Sequence, residues 1–180
     1  QAPGAQCLAS VTPTAAPGPT EASLPAAPDV PIAYISVDHN LWLVRSDGTG
    51  ATRITDSEVL AYSAKWSPDG SRLAFSIAHD GDQQLWLYEP VSGQARRLAW
   101  GIGGGFDWSP DGQSLVFDRA LAGDLCFGAS PLFDGIWIVD VSTGASYEMV
   151  PEANDYPLLS PRWSPDGTVL TFMEQTHCEG

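Results

Sequence analysis

The pentapeptide Trp-Ser-Pro-Asp-Gly occurs three times in this chain, at Trp66-Ser67-Pro68-Asp69-Gly70, Trp108-Ser109-Pro110-Asp111-Gly112 and Trp163-Ser164-Pro165-Asp166-Gly167. The copies stand 42 and 55 residues apart, and a repeat near forty residues with several short strands per unit predicts β-propeller blades. Within the pentapeptide, Ser, Pro, Asp and Gly fill the four corners of a type I turn. Pro presets φ, Asp suits the next corner and Gly takes a left-handed exit. Such a turn joins two antiparallel strands, so each copy predicts a hairpin whose first strand ends on a buried Trp.

Apolar runs follow each turn at Arg72–Ile77, Ser114–Phe117 and Val169–Met173, and these predict second strands. Leu85–Tyr88 and Ile136–Val139, rich in aromatic and β-branched residues, predict third strands. Ser92-Gly93 and Ser142-Thr143-Gly144 are the next turns, and the more polar Ala95–Ala99 and Ser146–Val150 predict fourth strands at the rim. Upstream of the first pentapeptide, Ile32–Ser36, Leu41–Val44 and Thr52–Thr55 match a second, third and fourth strand. The first blade therefore begins at its second strand, and its innermost strand must come from elsewhere.

From Pro31 to Gly180 the pattern resembles the TolB-type β-propeller family, on the strength of three intact WSPDG turns at blade spacing and the strands that follow them. The resemblance implies an all-β fold of four-stranded antiparallel blades, commonly six in a ring, with the first blade closed by an innermost strand from the C-terminus. This chain holds about three and a half blades. Its last strands are a fourth innermost strand near Pro161–Ser164 and a second strand ending near Met173. Blade faces are apolar on both sides, so an open stack exposes two hydrophobic surfaces. The last strand duplicates the role of Ile32–Ser36, as expected of part of a longer ring; completion by another subunit is the alternative.

Residues Gln1–Val30 are a different material, dominated by Ala and Pro with Glu21 and Asp29 as the charged groups. That composition predicts a disordered linker or tether. Cys7 sits where a lipidated cysteine would precede such a tether, yet Gly4-Ala5-Gln6 lacks the usual Leu and the small residue directly before Cys. A free or otherwise paired thiol is the expectation there.

Cys126 and Cys178 fall in the loops after the second strands of adjacent blades, which share one face of a ring. The long 120–134 segment could bring the pair within the ~7 Å Cα separation a disulfide needs, and an oxidising compartment would favour the bond. His39, His79 and His177 occupy similar loops, but such loop positions diverge by on the order of 10 Å between blades, so the expectation is solvated histidines and no metal. Asp80-Gly81-Asp82 reads as a turn rather than a calcium loop. The regularly placed Trp42, Trp86 and Trp137, with the three pentapeptide Trp residues, read as core rather than a carbohydrate platform.

The chain contains no Gly-x-Ser-x-Gly, His-Glu-x-x-His or phosphate-binding glycine motif, so no catalytic residue and no cofactor is expected. Twenty-two acidic against eight basic residues give a net charge of −14, which excludes nucleic acid as a natural partner, and no transmembrane run is present. The expected function is a non-catalytic, extracytoplasmic module (periplasmic, secreted or surface-tethered) that binds a protein or small ligand. Two alternatives stay open: a substrate-gating propeller of a prolyl-oligopeptidase-type serine peptidase, and a structural subunit of a surface assembly. The face carrying the second-to-third-strand loops varies most between repeats, so candidate binding residues are Asp118, Arg119, Asp124 and Asp134, around the longest such loop.

Overall fold

The computed structural model describes residues 31–56, 58–79, 81–121, 132–151 and 157–174. The proposed tether, Asp80, Asp124, Cys126, His177 and Cys178 lie outside them. Every regular element in the described residues is a β-strand. Blade one contains β1 (Ile32–Ile35), β2 (Leu41–Val44) and β3 (Thr52–Arg53). Blade two is β4 (Leu60–Trp66), β5 (Leu73–His79), β6 (Asp82–Glu89) and β7 (Gln94–Trp100). Blade three is β8 (Ile102–Trp108), β9 (Ser114–Leu121), β10 (Leu132–Asp140) and β11 (Ser146–Val150), and blade four contributes β12 (Leu158–Trp163) and β13 (Leu170–Glu174). Each sheet runs in chain order with antiparallel neighbours.

Several strands run longer than the sequence expectation, β9 to Leu121 and β10 from Leu132 among them, and two other boundaries move for a local reason. The fourth strand of blade one stops at Arg53, because Thr55 turns inward and its Oγ1 accepts the Leu41 N–H at 2.9 Å. The fourth innermost strand begins at Leu158, ahead of Pro161, because its pairing with β13 shifts register between Leu159 and Arg162 and so tolerates a residue with no N–H.

The pentapeptide turns are alike in all three copies. Gly70, Gly112 and Gly167 have φ of 71°, 68° and 72°, and their N–H groups donate to Ser67, Ser109 and Ser164 carbonyls at 2.8 to 2.9 Å. The aspartate closes each turn, as where the Ser67 hydroxyl donates to Asp69 Oδ1 at 2.6 Å and the Ser71 N–H to the same oxygen at 3.1 Å. These donors, the serine hydroxyl first, hold the Asp69 carboxyl down at about 2 and lower Asp111 and Asp166 as well.

Successive blades are tied through the same turns. A first side-chain carbon at Gly112 would touch the Pro68 ring at 3.6 Å, and one at Gly167 the Pro110 ring at 3.6 Å. Arg72 donates to the Gly112 carbonyl at 2.8 Å while its guanidinium lies 5.6 Å from the Trp108 ring centre, and the Trp108 indole donates to the Lys65 carbonyl at 2.9 Å. Pro, Trp and Gly of the motif thus serve packing between blades as well as the turn.

Between these ties lie three apolar clusters, one per blade interface. Leu41, Leu73 and Phe75 fill the first, Leu85, Leu98, Phe106, Leu115 and Phe117 the second, and Val116, Ile136 and Leu158 the third. Each fully buried leucine or phenylalanine contributes about 1.5–3 kcal/mol relative to exposure. At the two ends of the stack the same kind of face is open: Ile32 and Tyr34 on β1, and Met173 on β13, are exposed.

Candidate functional site

Antiparallel pairing puts the start of every innermost strand and the end of every second strand at the blade end opposite the pentapeptide. At that end all three innermost strands slip register, between Ala61 and Ser63 in β4, Ile102 and Phe106 in β8, and Leu159 and Arg162 in β12. Bulges of this kind turn backbone donors out of the ladder and re-aim side chains. They are repeat-equivalent, each ending shortly before the pentapeptide Trp, so one mouth of the blade stack is lined by irregular backbone.

Asp118 lies beneath this mouth. It is 2 % exposed, and its Oδ1 accepts the Gly105 N–H at 2.9 Å while Oδ2 accepts the Ser160 N–H at 2.9 Å. One carboxylate therefore clamps the innermost strands of blades three and four. Burial is the largest influence on this group and pushes its carboxyl up; the N–H groups of Ser160, Gly105 and Gly103 oppose the rise. The approach requires glycine: a Cβ on Gly105 would meet Asp118 Oδ2 and Ser160 Cα, both at 2.8 Å. Ser160 itself sits at φ 53°, a left-handed position that costs a non-glycine residue on the order of 1 kcal/mol.

Arg119, the next residue, points to the other side of β9. Its guanidinium carbon lies 4.2 Å from the Trp137 ring centre and its Nη1 is 3.6 Å from Asp134 Oδ2. The Trp137 indole N–H donates to the Asp134 carbonyl at 2.7 Å, so Arg119, Asp134 and Trp137 form one unit. Of the candidate binding residues, Arg119 and Asp134 are brought together, Asp118 is turned away from them into the next blade interface, and Asp124 is outside the described residues.

A second charged constellation occupies the pentapeptide end. Lys65, Asp107 and Arg162 each directly precede a pentapeptide Trp, and they alternate in sign along three neighbouring innermost strands. Asp107 Oδ1 lies 3.0 Å from Lys65 Nζ and 3.6 Å from Arg162 Nη1, and its Oδ2 accepts the Trp163 N–H at 3.1 Å. Partial burial pushes the Asp107 carboxyl up against the N–H groups of Trp163 and Trp108. This ladder was legible as a charge before each Trp, a signal hidden by reading only the identical residues. Asp118 also had a signal: the aligned positions in the other second strands are Ser76, whose buried hydroxyl has no hydrogen-bond partner, and Met173.

Among the described residues no group of His, Cys, Asp and Glu could hold a metal ion. His39, with φ 58°, is in the β1–β2 connection with its ring tilted 53° to that of Tyr62 of the neighbouring blade at 5.7 Å between centres, and His79 ends β5. No described helix is long and apolar enough to cross a membrane.

Consecutive antiparallel blades stacked through equivalent faces define a β-propeller protein. No protein-family model matches the chain. A TolB homolog from Chlorobium luteolum is 37 % identical over 59 residues, covering 33 % of this chain and 14 % of that protein. The uncharacterized peptidase YuxL of Bacillus subtilis is 34 % identical over 64 residues, covering 35 % of this chain and 10 % of its own length. Among solved structures, TolB from Acinetobacter baumannii superposes with a TM-score of 0.57 at 22 % identity, over 75 % of this chain and 32 % of that one. The chain thus spans a small share of the curated proteins it matches, and its blades are of the TolB type.

Proposed function

We propose that this chain is part of an extracytoplasmic TolB-type propeller that binds a protein partner, without catalysis, through the blade ends bearing the second-to-third-strand connections. The observation that carries this reading is the contrast between the two ends. One end repeats the same hydrogen-bonded turn three times, whereas the other joins β1 to β2, β5 to β6 and β9 to β10 by connections of different length over bulged inner strands. Variable connections on a rigid scaffold are where recognition usually resides. The net charge of −14 favours a basic or neutral partner.

The test shortens the 122–131 segment to Gly-Ser and compares crosslinked partners of the two proteins by mass spectrometry, with circular dichroism as the fold control. Loss of one partner supports the reading; an unchanged partner set on an intact fold rules that connection out. The substrate-gating reading is favoured by the similarity to the Bacillus subtilis peptidase. A Gly-x-Ser-x-Gly segment encoded in the same reading frame would select it, and further WSPDG units alone would select the binding module.

A further inference from the structure

Blades two and three carry equivalent cross-strand pairs, Phe75 with Trp86 and Phe117 with Trp137. Ile77 precedes Arg119 by 42 residues, the same offset that separates Trp66 from Trp108, so Ile77 holds in blade two the place of Arg119 in blade three. In blade three the Arg119 guanidinium covers the Trp137 ring at 4.2 Å, with Asp134 beside it. In blade two the isoleucine is buried and carries no such group. The corresponding space is an open cleft of about 240 Å³ between blades one and two, floored by Phe75, Ile77 and Trp86, with Gln84 and Asp56 also lining it.

We propose that this cleft receives an arginine side chain of the protein partner, its guanidinium seated on Trp86 as that of Arg119 is seated on Trp137. The Trp86 indole N–H is already bonded to Gln84 Oε1 at 2.9 Å and the ring packs on Phe75 with centres 6.4 Å apart, so what it can offer a ligand is its remaining ring surface rather than its polar edge. A ring face attracts cations, and a planar guanidinium stacks where an ammonium does not. The cleft is smaller than the ~300–1,000 Å³ of ordinary small-molecule sites, which suits one side chain. Asp56, exposed at the end of blade one, places negative charge at its edge in a chain already at −14. The inference rests on the protein-binding reading above for the source of the arginine.

The experiment follows the indole N–H signals of the protein, labelled with ¹⁵N-tryptophan, during titration with acetyl-Gly-Arg-Gly-amide, its citrulline counterpart and guanidinium chloride. A saturable shift of the Trp86 signal with the arginine peptide, at least tenfold weaker with citrulline, is expected. Ile77→Arg, which installs the blade-three arrangement, is expected to abolish it; Asp56→Asn, at an exposed site that keeps the fold, is expected to weaken it at least threefold. Equal response to citrulline, undiminished binding by a folded Ile77→Arg protein, or unchanged affinity in Asp56→Asn overturns the proposal. Guanidinium chloride binding as tightly as the peptide also overturns it, in favour of a small-cation site. These measurements need no partner, so they can fail while the crosslinking result stands, and the reverse.

Discussion

Asp118 is the position where substitution tests the physical account most directly. Replacing it by Ala removes the acceptor shared by the Gly105 and Ser160 N–H groups, both at 2.9 Å. An unsatisfied buried donor costs about 1–3 kcal/mol, and there are two of them. Against this stands the relief of removing a carboxylate whose burial disfavours its charge. The expected net loss is about 2–4 kcal/mol, measured by urea unfolding followed by tryptophan fluorescence. Asp118→Asn keeps the shape but accepts from one N–H only, so its loss is smaller, about 1–3 kcal/mol.

The pH dependence separates packing from charge. Burial raises the folded carboxyl above its unfolded value of about 3.9. The contribution of such a group is fully present below the unfolded pKa and is lost as pH rises through the folded one. The stability gap between the natural protein and Asp118→Asn should therefore be larger near pH 4 than near pH 7. A gap that widens with rising pH would refute the reasoning, since it would mean that the backbone donors outweigh burial and hold the carboxyl down.

Gly105→Ala places a methyl 2.8 Å from the Ser160 backbone and should destabilise by about 1–3 kcal/mol, with unchanged unfolding midpoint as the contrary result. Valine at Gly70, Gly112 or Gly167 forces a β-branched residue to positive φ, so all three should lower the melting temperature. Gly112→Val and Gly167→Val should lower it further, because a Cβ there already reaches the preceding blade's proline at 3.6 Å and leaves little room for valine's two methyls, while Gly70 has nothing within 4 Å; equal shifts would argue against the packing role. Cys126 and Cys178 should be linked in protein made under oxidising conditions, and non-reducing peptide mapping that finds both thiols free would remove that pairing.

The three turns made the blade order legible because Ser-Pro-Asp-Gly encodes its conformation locally: proline, an aspartate with hydroxyl donors and a left-handed glycine need no tertiary help. The alternating strands extended that reading to within a few residues of β5, β6, β10 and β11. What stayed hidden depends on contacts between residues about forty apart. Asp118 and Arg119, adjacent in sequence, were expected at the base of one loop, but strand alternation sends them to opposite blade interfaces. The cleft over Trp86 was equally silent, since it is lined by residues from two blades, Ile54 to Asp56 after the short β3 and Phe75, Ile77 and Trp86 of the next blade.

The approach of Pro68 to Gly112 and of Pro110 to Gly167, each near enough that a Cβ on the glycine would touch the ring, has a direction: in both cases the proline of one blade faces the glycine of the next. A junction of that kind is head-to-tail, with two different surfaces meeting, and no two-fold axis can generate it. Whatever covers the exposed faces of β1 and β13 by continuing the blade packing must therefore keep the same polarity. A second copy added by this rule would close into a cyclic ring or go on as a filament, and a mirror-like face-to-face pair would leave the prolines of both copies without a glycine to meet.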